Sequence, residues 1–185
     1  IDEGLVGSEM CIRDSINTNT PTTVNTLGAG RSAISLALAW DSTCALLDDG
    51  SVKCWGKREH GQLGDGLSTG ETSSPPSSPV SFGAGRTAKM ITAGEFHYCA
   101  ILDNDEIMCW GDGANGKLAT GSTSDQTTPT APSGAFAAGR YAVYLDAGYH
   151  HTCAILDNGH ATCWGSDANG QLGNAASGDI LTLHT

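Results

Sequence analysis

The sequence predicts an all-β protein built from repeated four-stranded units, on the strength of three observations. A segment with two cysteines ten positions apart occurs three times, starting at Cys44, Cys99 and Cys153. The three copies lie 55 and then 54 residues apart, and a fixed period of this size is typical of solenoids, propellers and arrays. Glycine is abundant at 25 of the 185 residues, and only 16% of residues are charged. This composition suits short strands and turns better than helices.

Each copy is predicted to form a β-hairpin closed by a three-residue turn. In the first copy, apolar runs flank residues 48–50, Asp-Asp-Gly, which is a strong turn signal. The two cysteines lie symmetrically about the central residue of that turn, so the loop contains three residues rather than two. Gly50 and Gly159 suit the left-handed position that ends such a loop. In the middle copy Asp105 occupies this position, which aspartate tolerates at some cost.

The cysteines of each copy are predicted to form a disulfide across the two strands. If Leu47 and Ser51 close the hairpin as a hydrogen-bonded pair, Cys44 and Cys54 form a non-hydrogen-bonded pair with Cα atoms about 4.5 Å apart. A disulfide can just span that distance. Zinc sites need four ligands in close pairs, a spacing that is absent here, while free buried thiols remain an alternative. The predicted pairs are Cys44–Cys54, Cys99–Cys109 and Cys153–Cys163.

One period holds about four strand candidates, which favours the blade of a β-propeller. A Thr/Pro-rich connector comes first, then a Gly-Arg pair, a strand candidate, the hairpin and a Gly-rich segment. The strand candidates cover residues 33–39, 88–93 and 142–147, and the connectors include residues 73–82 and 126–136. Because these connectors contain several prolines, we expect them to be loops.

The repeated residues resemble the regulator-of-chromosome-condensation repeat. The third copy shows the pattern best: Gly148-Tyr-His-His-Thr-Cys-Ala-Ile-Leu-Asp-Asn-Gly159, then Cys163-Trp-Gly165 and Gly170-Gln-Leu-Gly173. The chain is most similar to the cysteine-paired version in bacterial and metagenomic proteins, over residues 20–185. The resemblance implies a β-propeller, usually with seven blades of four antiparallel strands. We therefore expect 16–185 to be a partial ring that packs against missing blades of its own chain, with repeats at about 28–82, 83–136 and 137–185.

Residues 1–15 share nothing with the repeats. The run 4–15 resembles the translated read-through of a sequencing adapter, so we expect it to be a non-native artefact that lies outside the fold. A short natural leader is the alternative. The segment holds Cys11, four acidic residues and one arginine, so without it the net charge of −11 becomes −8 and six cysteines remain.

Several other residues recur at one position in the period. Trp55, Trp110 and Trp164, each followed by Gly56, Gly111 or Gly165, are predicted to belong to the core between blades. His97 and His151 are interpreted as hydrogen-bonded structural residues rather than catalysts. Arg31, Arg86 and Arg140 are expected to satisfy backbone carbonyls between blades, and a ring of binding arginines is the alternative.

The copies depart from the pattern at four positions. Ser42 stands where His97 and His151 stand, and Ala39 stands where the other copies have glycine. Lys117 replaces the glutamine of Gln-Leu-Gly, and Ala119 replaces its final glycine.

The sequence offers no catalytic, cofactor or metal motif, so we expect a protein that is not an enzyme and has no cofactor. Residues 112–116 and 167–170 are vaguely similar to calcium loops but lack the glutamate at position 12, and no P-loop or nucleophile elbow is present. The acidic charge disfavours nucleic-acid partners. The absence of an apolar run of about eighteen residues argues against membrane insertion.

The predicted function is a protein-interaction module of a secreted or cell-surface protein. Disulfides persist outside the cytosol, and loops of a rigid scaffold commonly bind other molecules. The expected contact loops are residues 57–60, 67–78, 112–115, 121–133 and 166–169. Three alternatives remain: a structural repeat of a large surface protein, an intracellular exchange-factor-like propeller for a small GTPase, and a non-catalytic part of a larger enzyme.

Overall fold

The computed structural model describes residues 23–24, 27–137, 139–175 and 178–183, which form three antiparallel sheets in sequence. Each sheet is one blade, numbered 1 to 3 in chain order, so the predicted all-β propeller architecture is confirmed. The strand orders are β1-β2-β3-β4, β5-β6-β7-β8 and β11-β10-β9. The strands are β1 (Ala33–Leu38), β2 (Ser42–Leu47), β3 (Val52–Lys57), β4 (Glu71–Thr72), β5 (Ala88–Ala93), β6 (His97–Leu102), β7 (Ile107–Gly111), β8 (Gln126–Thr130), β9 (Ala142–Ala147), β10 (His151–Leu156) and β11 (Ala161–Gly165).

Helical structure is minimal in the described part of the chain, where a short 3₁₀ turn covers Ala114–Gly116. None of the described residues forms a helix with the length and apolar character needed to cross a membrane. The suspected artefact at 1–15 lies outside the described residues. The proposed repeat boundaries and the seven-blade ring remain predictions.

The central hairpin of each blade has the predicted register. Across the first turn, the N–H of Leu47 donates to the carbonyl oxygen of Ser51 at 2.9 Å, and the paired cysteines lie directly opposite each other in all three blades. The residue that ends each turn has a positive φ: 77° at Gly50, 69° at Asp105 and 83° at Gly159. The three-residue loop inferred from the cysteine spacing is therefore correct.

All three predicted disulfides are present. Cys44–Cys54, Cys99–Cys109 and Cys153–Cys163 are joined, with Cα atoms 4.1, 4.1 and 4.0 Å apart. The short separation is that of a non-hydrogen-bonded antiparallel pair. Each disulfide therefore staples a hairpin without crossing from one blade to the next.

The connector of blade 2 contains an outer strand, β8, that the sequence does not predict. Residues 126–136 were expected to be a loop because of their prolines, yet Gln126–Thr130 pairs with β7 as strand β8. Proline is compatible with an edge strand, where the missing N–H can lie on the unpaired side, and Pro129 occupies such an edge. In blade 1 the equivalent strand shrinks to Glu71–Thr72. In blade 3 it is represented by a bridge between Gly165 and Ile180.

The two faces of each hairpin pack against different neighbours. The disulfide face of blade 1, with Cys44 and Cys54, shares a core with Trp110 of blade 2. The disulfide of blade 2 shares a second core with Trp164 of blade 3. Trp55, Trp110 and Trp164 are 2%, 0% and 1% exposed, so the tryptophan face of one blade covers the disulfide face of the preceding blade.

Turn glycines provide a test of how closely the blades approach. A Cβ atom at Gly50 would lie 2.6 Å from the Cβ of Thr87 in blade 2, whereas a Cβ at Gly159 would meet nothing within 4 Å. Both residues have left-handed φ angles, which cost an alanine about 1–2 kcal/mol.

We expect Gly159→Ala to lower the free energy of unfolding by about 1–2 kcal/mol. Gly50→Ala should cost about 1–3 kcal/mol more because it adds overpacking. Chemical denaturation of both variants measures the difference, and equal losses would contradict the close approach.

Peptide mapping under non-reducing conditions tests the disulfides. Protein secreted through an oxidising compartment should yield three linked pairs, each within one hairpin. Reduction should lower stability by about 2–3 kcal/mol for each staple, since closing a loop of about eleven residues constrains the unfolded chain to that extent. Links between repeats, or six free thiols, would contradict the hairpin register.

Candidate protein-interaction surface

The corner between the inner strand and the hairpin is a two-residue segment that varies from blade to blade. The corner pairs are Trp40-Asp41, Glu95-Phe96 and Tyr149-His150. The N–H of Trp40 donates to the carbonyl oxygen of Glu95 at 2.8 Å, and the N–H of Glu95 donates to that of Tyr149 at 3.5 Å. Backbone hydrogen bonds thus link the corners of successive blades in one row.

Three predicted contact loops are attached to the same row. The N–H groups of Lys57, Asp112 and Ser166 each donate at 2.9 Å to the second residue of the adjoining corner, Asp41, Phe96 and His150 respectively. We call this surface the corner rim: residues 40–41, 95–96 and 149–150 with the loops 57–60, 112–115 and 166–169. The longer predicted loops, 67–78 and 121–133, instead contain the outer strands β4 and β8.

Two aromatic side chains stand out from the corner rim. Trp40 is 62% exposed and Tyr149 is 54% exposed. Between them lies Glu95, whose hydrogen bond to the Tyr149 hydroxyl raises the pKa of that tyrosine. The ring of His150 packs edge-on against Tyr149, with centroids 4.4 Å apart, and its Nδ1 lies 3.8 Å from the Glu95 carboxylate. The rim therefore offers two exposed aromatic side chains, and the Glu95 side chain between them is largely buried, with 10% of it exposed.

Sequence reasoning missed these corner residues. Trp40, Glu95 and Tyr149 occupy one position of the repeat, yet they share neither size nor charge. Such variation inside a constant pattern was the available signal, because a position that supports the fold would resemble its counterparts.

A histidine and an aspartate of the corner rim meet a second aspartate from the neighbouring loop 121–133. The donor atoms of His60, Asp112 and Asp125 lie within 4.8 Å of one another, which is compatible with a metal site. Both oxygens of Asp125 already accept hydrogen bonds, however: one from the N–H of Gly113 at 3.0 Å and the other involving His60 Nδ1 at 3.0 Å. Asp112 is likewise engaged, with Lys117 and the N–H of Ala114.

The next blade boundary repeats this arrangement without histidine. Asp179 accepts the N–H of Asp167 at 3.1 Å and the side-chain amide of Asn115 at 2.9 Å. Asn115 is the counterpart of His60 in the period. The carboxylate therefore ties each blade to the preceding one, and the described donor set serves as this structural link.

Lys117 has changed its role relative to the glutamine that it replaces. Gln62 and Gln171 accept the backbone N–H of His60 and Asn169, both at 2.8 Å. The side chain of Lys117 is fully buried and instead pairs with Asp112. Burial by itself raises the pKa of Asp112, but hydrogen bonds from Lys117 and the Ala114 N–H outweigh it and leave that pKa below the usual range.

The departure at Ala119 is less well accommodated. This residue has φ 55°, in the left-handed region where Gly64 and Gly173 stand at 68° and 66°. The turn keeps its shape, and the alanine carries the strain.

His97 is a buried link between blades 2 and 3. Its Nε2 lies 2.9 Å from Oγ1 of Thr152, whose hydroxyl donates to the carbonyl oxygen of Lys117 at 3.1 Å. Because a threonine hydroxyl has one proton to donate, His97 Nε2 must be the donor to Thr152. Nδ1 of His97 is buried without a partner. Burial, reinforced by the charge of Lys117, lowers the pKa of His97 to about 3.

The repeated arginines lie at the opposite end of the blades. We expect them from the sequence to contact backbone carbonyls, but in the structure they pair with aspartates instead. Arg31, Arg86 and Arg140 each pair with the aspartate seventeen residues later, at 3.3, 3.1 and 2.9 Å. That aspartate begins the hairpin turn, and its carboxylate is a stronger partner for guanidinium than a carbonyl is. The N–H of Thr87, together with Arg86, holds the pKa of Asp103 below its usual range. A ring of binding arginines remains a prediction.

Comparison with known proteins assigns the family. The profile of the regulator of chromosome condensation (RCC1) repeat matches residues 49–101 and 104–155, and a second profile with the same description matches 34–62, 90–117 and 143–171. The chain belongs to the RCC1 repeat family.

Similar RCC1 repeat proteins are considerably longer. The Ultraviolet-B receptor UVR8 of Arabidopsis thaliana is 31% identical over 145 residues, which cover 78% of this chain and 32% of UVR8. The human probable E3 ubiquitin-protein ligase HERC4 is 29% identical over 177 residues, covering 95% of this chain and 16% of HERC4. The chain therefore spans a third or less of the length of these relatives.

A solved RCC1 structure supports the fold. Yeast RCC1 (Prp20), in a crystal structure bound to Kap60, superposes with a TM-score of 0.70 at 18% identity, covering 81% of this chain and 36% of Prp20. This chain is thus similar to the RCC1 repeat part of larger proteins, with disulfides in each of its described blades.

The low pKa of His97 predicts a pH dependence of stability. The unfolded histidine binds a proton below about pH 6.5, whereas the folded one stays neutral down to about pH 3. The His97 contribution is therefore fully present above pH 6.5 and is lost as the pH falls towards 3, by about 1.4 kcal/mol per pH unit. His97→Gln keeps a donor for Thr152 and removes the titration. Urea denaturation between pH 7 and 4 should show a shallower slope for this variant, and equal slopes would contradict the buried neutral histidine.

Proposed function

We propose that this chain is a non-enzymatic protein-interaction module of a secreted or cell-surface protein, and that its corner rim binds another protein. The observation that carries the proposal is the pair of exposed aromatic side chains, Trp40 and Tyr149, at a repeat position that varies between blades.

The corner rim has the physical features of a binding surface on a rigid scaffold. Backbone hydrogen bonds already hold the corners in one row, so the corners lose little conformational entropy when a partner binds them. Trp and Tyr dominate binding hot spots because each buries a large area and has few rotatable bonds. Each corner is hydrogen-bonded to the next, and hydrogen-bonded neighbouring chains lie about 5 Å apart. The corners that carry Trp40 and Tyr149, with the Glu95 corner between them, are therefore about 10 Å apart. One protein surface can therefore cover both.

The charge of the chain indicates what kind of protein surface fits. The net charge is −11, and one of the carboxylates counted in it, Glu95, lies at the corner rim beside Tyr149. A partner with basic side chains would approach with favourable electrostatic steering and could place a cation against an aromatic ring. A nucleic acid would be repelled by the same charge.

The three disulfides support a location outside the cytosol. Cys44, Cys54, Cys99 and Cys109 are at most 2% exposed, so in the folded state reductants reach them poorly. The chain must nevertheless oxidise during folding, which secretion routes permit and the cytosol does not. We therefore propose that the protein works in the extracellular space or on a cell surface.

Membership of a larger enzyme is the second candidate, favoured by the match to HERC4. HERC4 is named as a probable ubiquitin-protein ligase, and this chain corresponds to 16% of its length. In that case the RCC1 repeats would bind a protein and the catalysis would lie elsewhere. An intracellular exchange-factor-like role agrees less well with a disulfide in each of the three described blades.

Photo-crosslinking from defined positions tests the proposal. A benzophenone amino acid placed at Trp40 should capture a protein from the secreted and surface fraction of the source cells. The same probe at Tyr141, a 42% exposed tyrosine beside the hairpin turn of blade 3, is the matched control. Equal capture from both positions, or capture from the cytosolic fraction alone, would contradict the proposal.

Alanine substitutions then measure the contribution of each aromatic residue. Once the partner is purified, Trp40→Ala and Tyr149→Ala should each weaken binding by about tenfold or more, as is typical of a hot-spot residue. Tyr141→Ala should leave the affinity unchanged. Isothermal titration calorimetry provides the affinities, and circular dichroism verifies that each variant is folded. Unchanged affinity in both rim variants would rule out the corner rim as the binding surface.

A further inference from the structure

The outer edge of blade 1 is less complete than the corresponding edge of blade 2. In blade 2, Thr130 of β8 pairs with Cys109 of β7. Cys54 is the counterpart of Cys109 in blade 1, but β4 covers only Glu71–Thr72 and pairs further along β3. Within the described part of the chain, no outer-strand residue therefore pairs with Cys54.

A proline explains why the outer strand of blade 1 stops short. Pro76 and Thr130 each lie six residues before a phenylalanine, Phe82 or Phe136, so they occupy the same position of the repeat. Thr130 has an N–H group that can join the ladder, whereas proline has none. The ladder therefore cannot continue at Pro76 as it does in blade 2.

The backbone of Cys54 is directed towards this gap. Because Cys54 forms a non-hydrogen-bonded pair with Cys44 on its inner side, its own N–H and C=O point to the outer edge. The connector returns to the edge at Val80, whose N–H donates to the carbonyl oxygen of Val52 at 2.8 Å. The interruption thus leaves one main-chain donor and one acceptor at Cys54, in a position where strands normally pair both groups.

A cleft lies beside the interrupted ladder. Its volume is about 310 Å³, which is at the lower end of the range of roughly 300–1,000 Å³ for ligand sites. Cys54, Leu63, Pro76 and Val80 contribute to its apolar lining, and Thr128 of blade 2 also lines it. The cleft therefore has room for a short piece of polypeptide.

Arg58 brings a further donor to the cleft. Its side chain is 12% exposed, and its Nη1 lies 3.1 Å from the carboxylate of Asp65, while its Nη2 donates to the hydroxyl of Thr72. Its Nε is buried and has no hydrogen-bond partner among the described groups. Because Asp65 already balances the charge of Arg58, the cleft favours an uncharged ligand with acceptor oxygens.

We propose that the cleft of blade 1 binds an uncharged, extended peptide segment of a partner protein, which pairs with the backbone of Cys54. One residue of such a segment supplies the groups that are missing from the edge. Its N–H donates to the Cys54 carbonyl oxygen, its own carbonyl oxygen accepts the Cys54 N–H, and a neighbouring carbonyl oxygen accepts Nε of Arg58. Strand addition of this kind obtains its affinity from main-chain hydrogen bonds and its specificity from the adjoining pocket.

Blade 2 indicates which occupant fits. There the corresponding edge is covered by β8, an uncharged segment that ends in Thr-Pro-Thr at residues 128–130. The cleft in blade 1 therefore suits small hydroxyl and proline side chains. This site does not use Trp40 or Tyr149, so it is independent of binding at those aromatic residues.

A peptide copied from β8 tests the proposal. Acetyl-Thr-Thr-Pro-Thr-amide, with the sequence of residues 127–130, is titrated into the full oxidised chain and followed by amide NMR. The resonances of Cys54, Thr72 and Val80 should shift and saturate. Those of Cys109 should not shift, because Thr130 already occupies that edge.

Two control peptides change one residue each. Acetyl-Thr-Thr-Pro-Pro-amide lacks the last N–H, so it should bind about tenfold more weakly because the Cys54 carbonyl loses its donor. Acetyl-Thr-Thr-Pro-Asp-amide should also bind about tenfold more weakly, because the cleft does not balance an added negative charge. Equal binding of either control would overturn the pairing with Cys54 or the preference for an uncharged segment, respectively.

Protein variants close the cleft in two different ways. Pro76→Thr restores the N–H that Thr130 provides in blade 2, so the chain should complete its own edge. We expect this variant to lose peptide binding and to slow hydrogen exchange at the Cys54 amide by about tenfold. Ser78→Trp fills the cleft from the exposed connector and should also abolish binding, which keeps the test valid if Pro76→Thr does not fold. Trp40→Ala should bind the peptide like the unchanged chain.

The remaining outcomes count against the proposal. Absence of saturable shifts, or equal shifts at Cys54 and Cys109, would exclude the cleft as the site. Shifts at Cys54 that grow with the concentration of the chain alone, with a dimer in sedimentation, would show that a second copy occupies it. Loss of peptide binding in Trp40→Ala would show that the peptide binds at the corner rim instead.

Discussion

The register of the central hairpin is the constraint on which each blade depends. Side chains alternate between the two faces of a strand, so a shift of one residue would exchange every inward and outward position. The disulfide removes that freedom, because Cys44 and Cys54 can be joined only when they lie opposite each other. With the pair in place, Trp55 necessarily lies on the other face. The disulfide then meets the following blade and the tryptophan meets the preceding one.

Packing between blades depends on a small number of buried polar groups. The indole N–H groups of Trp110 and Trp164 donate to the carbonyl oxygens of Gln62 and Lys117 at 3.0 and 2.9 Å. Such bonds are needed because a buried donor without an acceptor costs more than a satisfied one contributes. They also fix the position of one blade relative to the next, since apolar contacts alone are non-directional.

The corner rim joins this rigid framework to variable chemistry. Its backbone follows the same hydrogen-bond pattern in every described blade, while Trp40, Glu95 and Tyr149 differ completely. A repeat fold allows this separation because backbone hydrogen bonds fix the corners whatever side chains they carry. Binding surfaces on other rigid scaffolds arise in the same way, from loops whose ends are fixed by regular structure.

The sequence by itself determined the elements that depend on local spacing. The hairpins, the three-residue turns and the cysteine pairs all follow from residues within about eleven positions of one another, and the period follows from the recurrence of that pattern. The buried tryptophans were also predictable from their place beside a disulfide cysteine. Strand β8 was not predictable from the sequence, because proline usually indicates a loop. Pro129 is compatible with a strand only at a sheet edge, and only the structure shows that edge.

Only the tertiary structure decided how distant repeats meet. Ser42 and Tyr98 are 56 residues apart, and nothing in either copy alone indicates that their hydroxyls form a buried hydrogen bond. The arginine of each Gly-Arg pair likewise binds a turn aspartate seventeen residues away rather than backbone carbonyls. The sheet brings the start of the inner strand close to the hairpin turn, which places the two side chains together. Local alternation sets the faces of a blade, but the fit between faces depends on the combined volume and hydrogen bonds of two blades, which is a property of the packed structure.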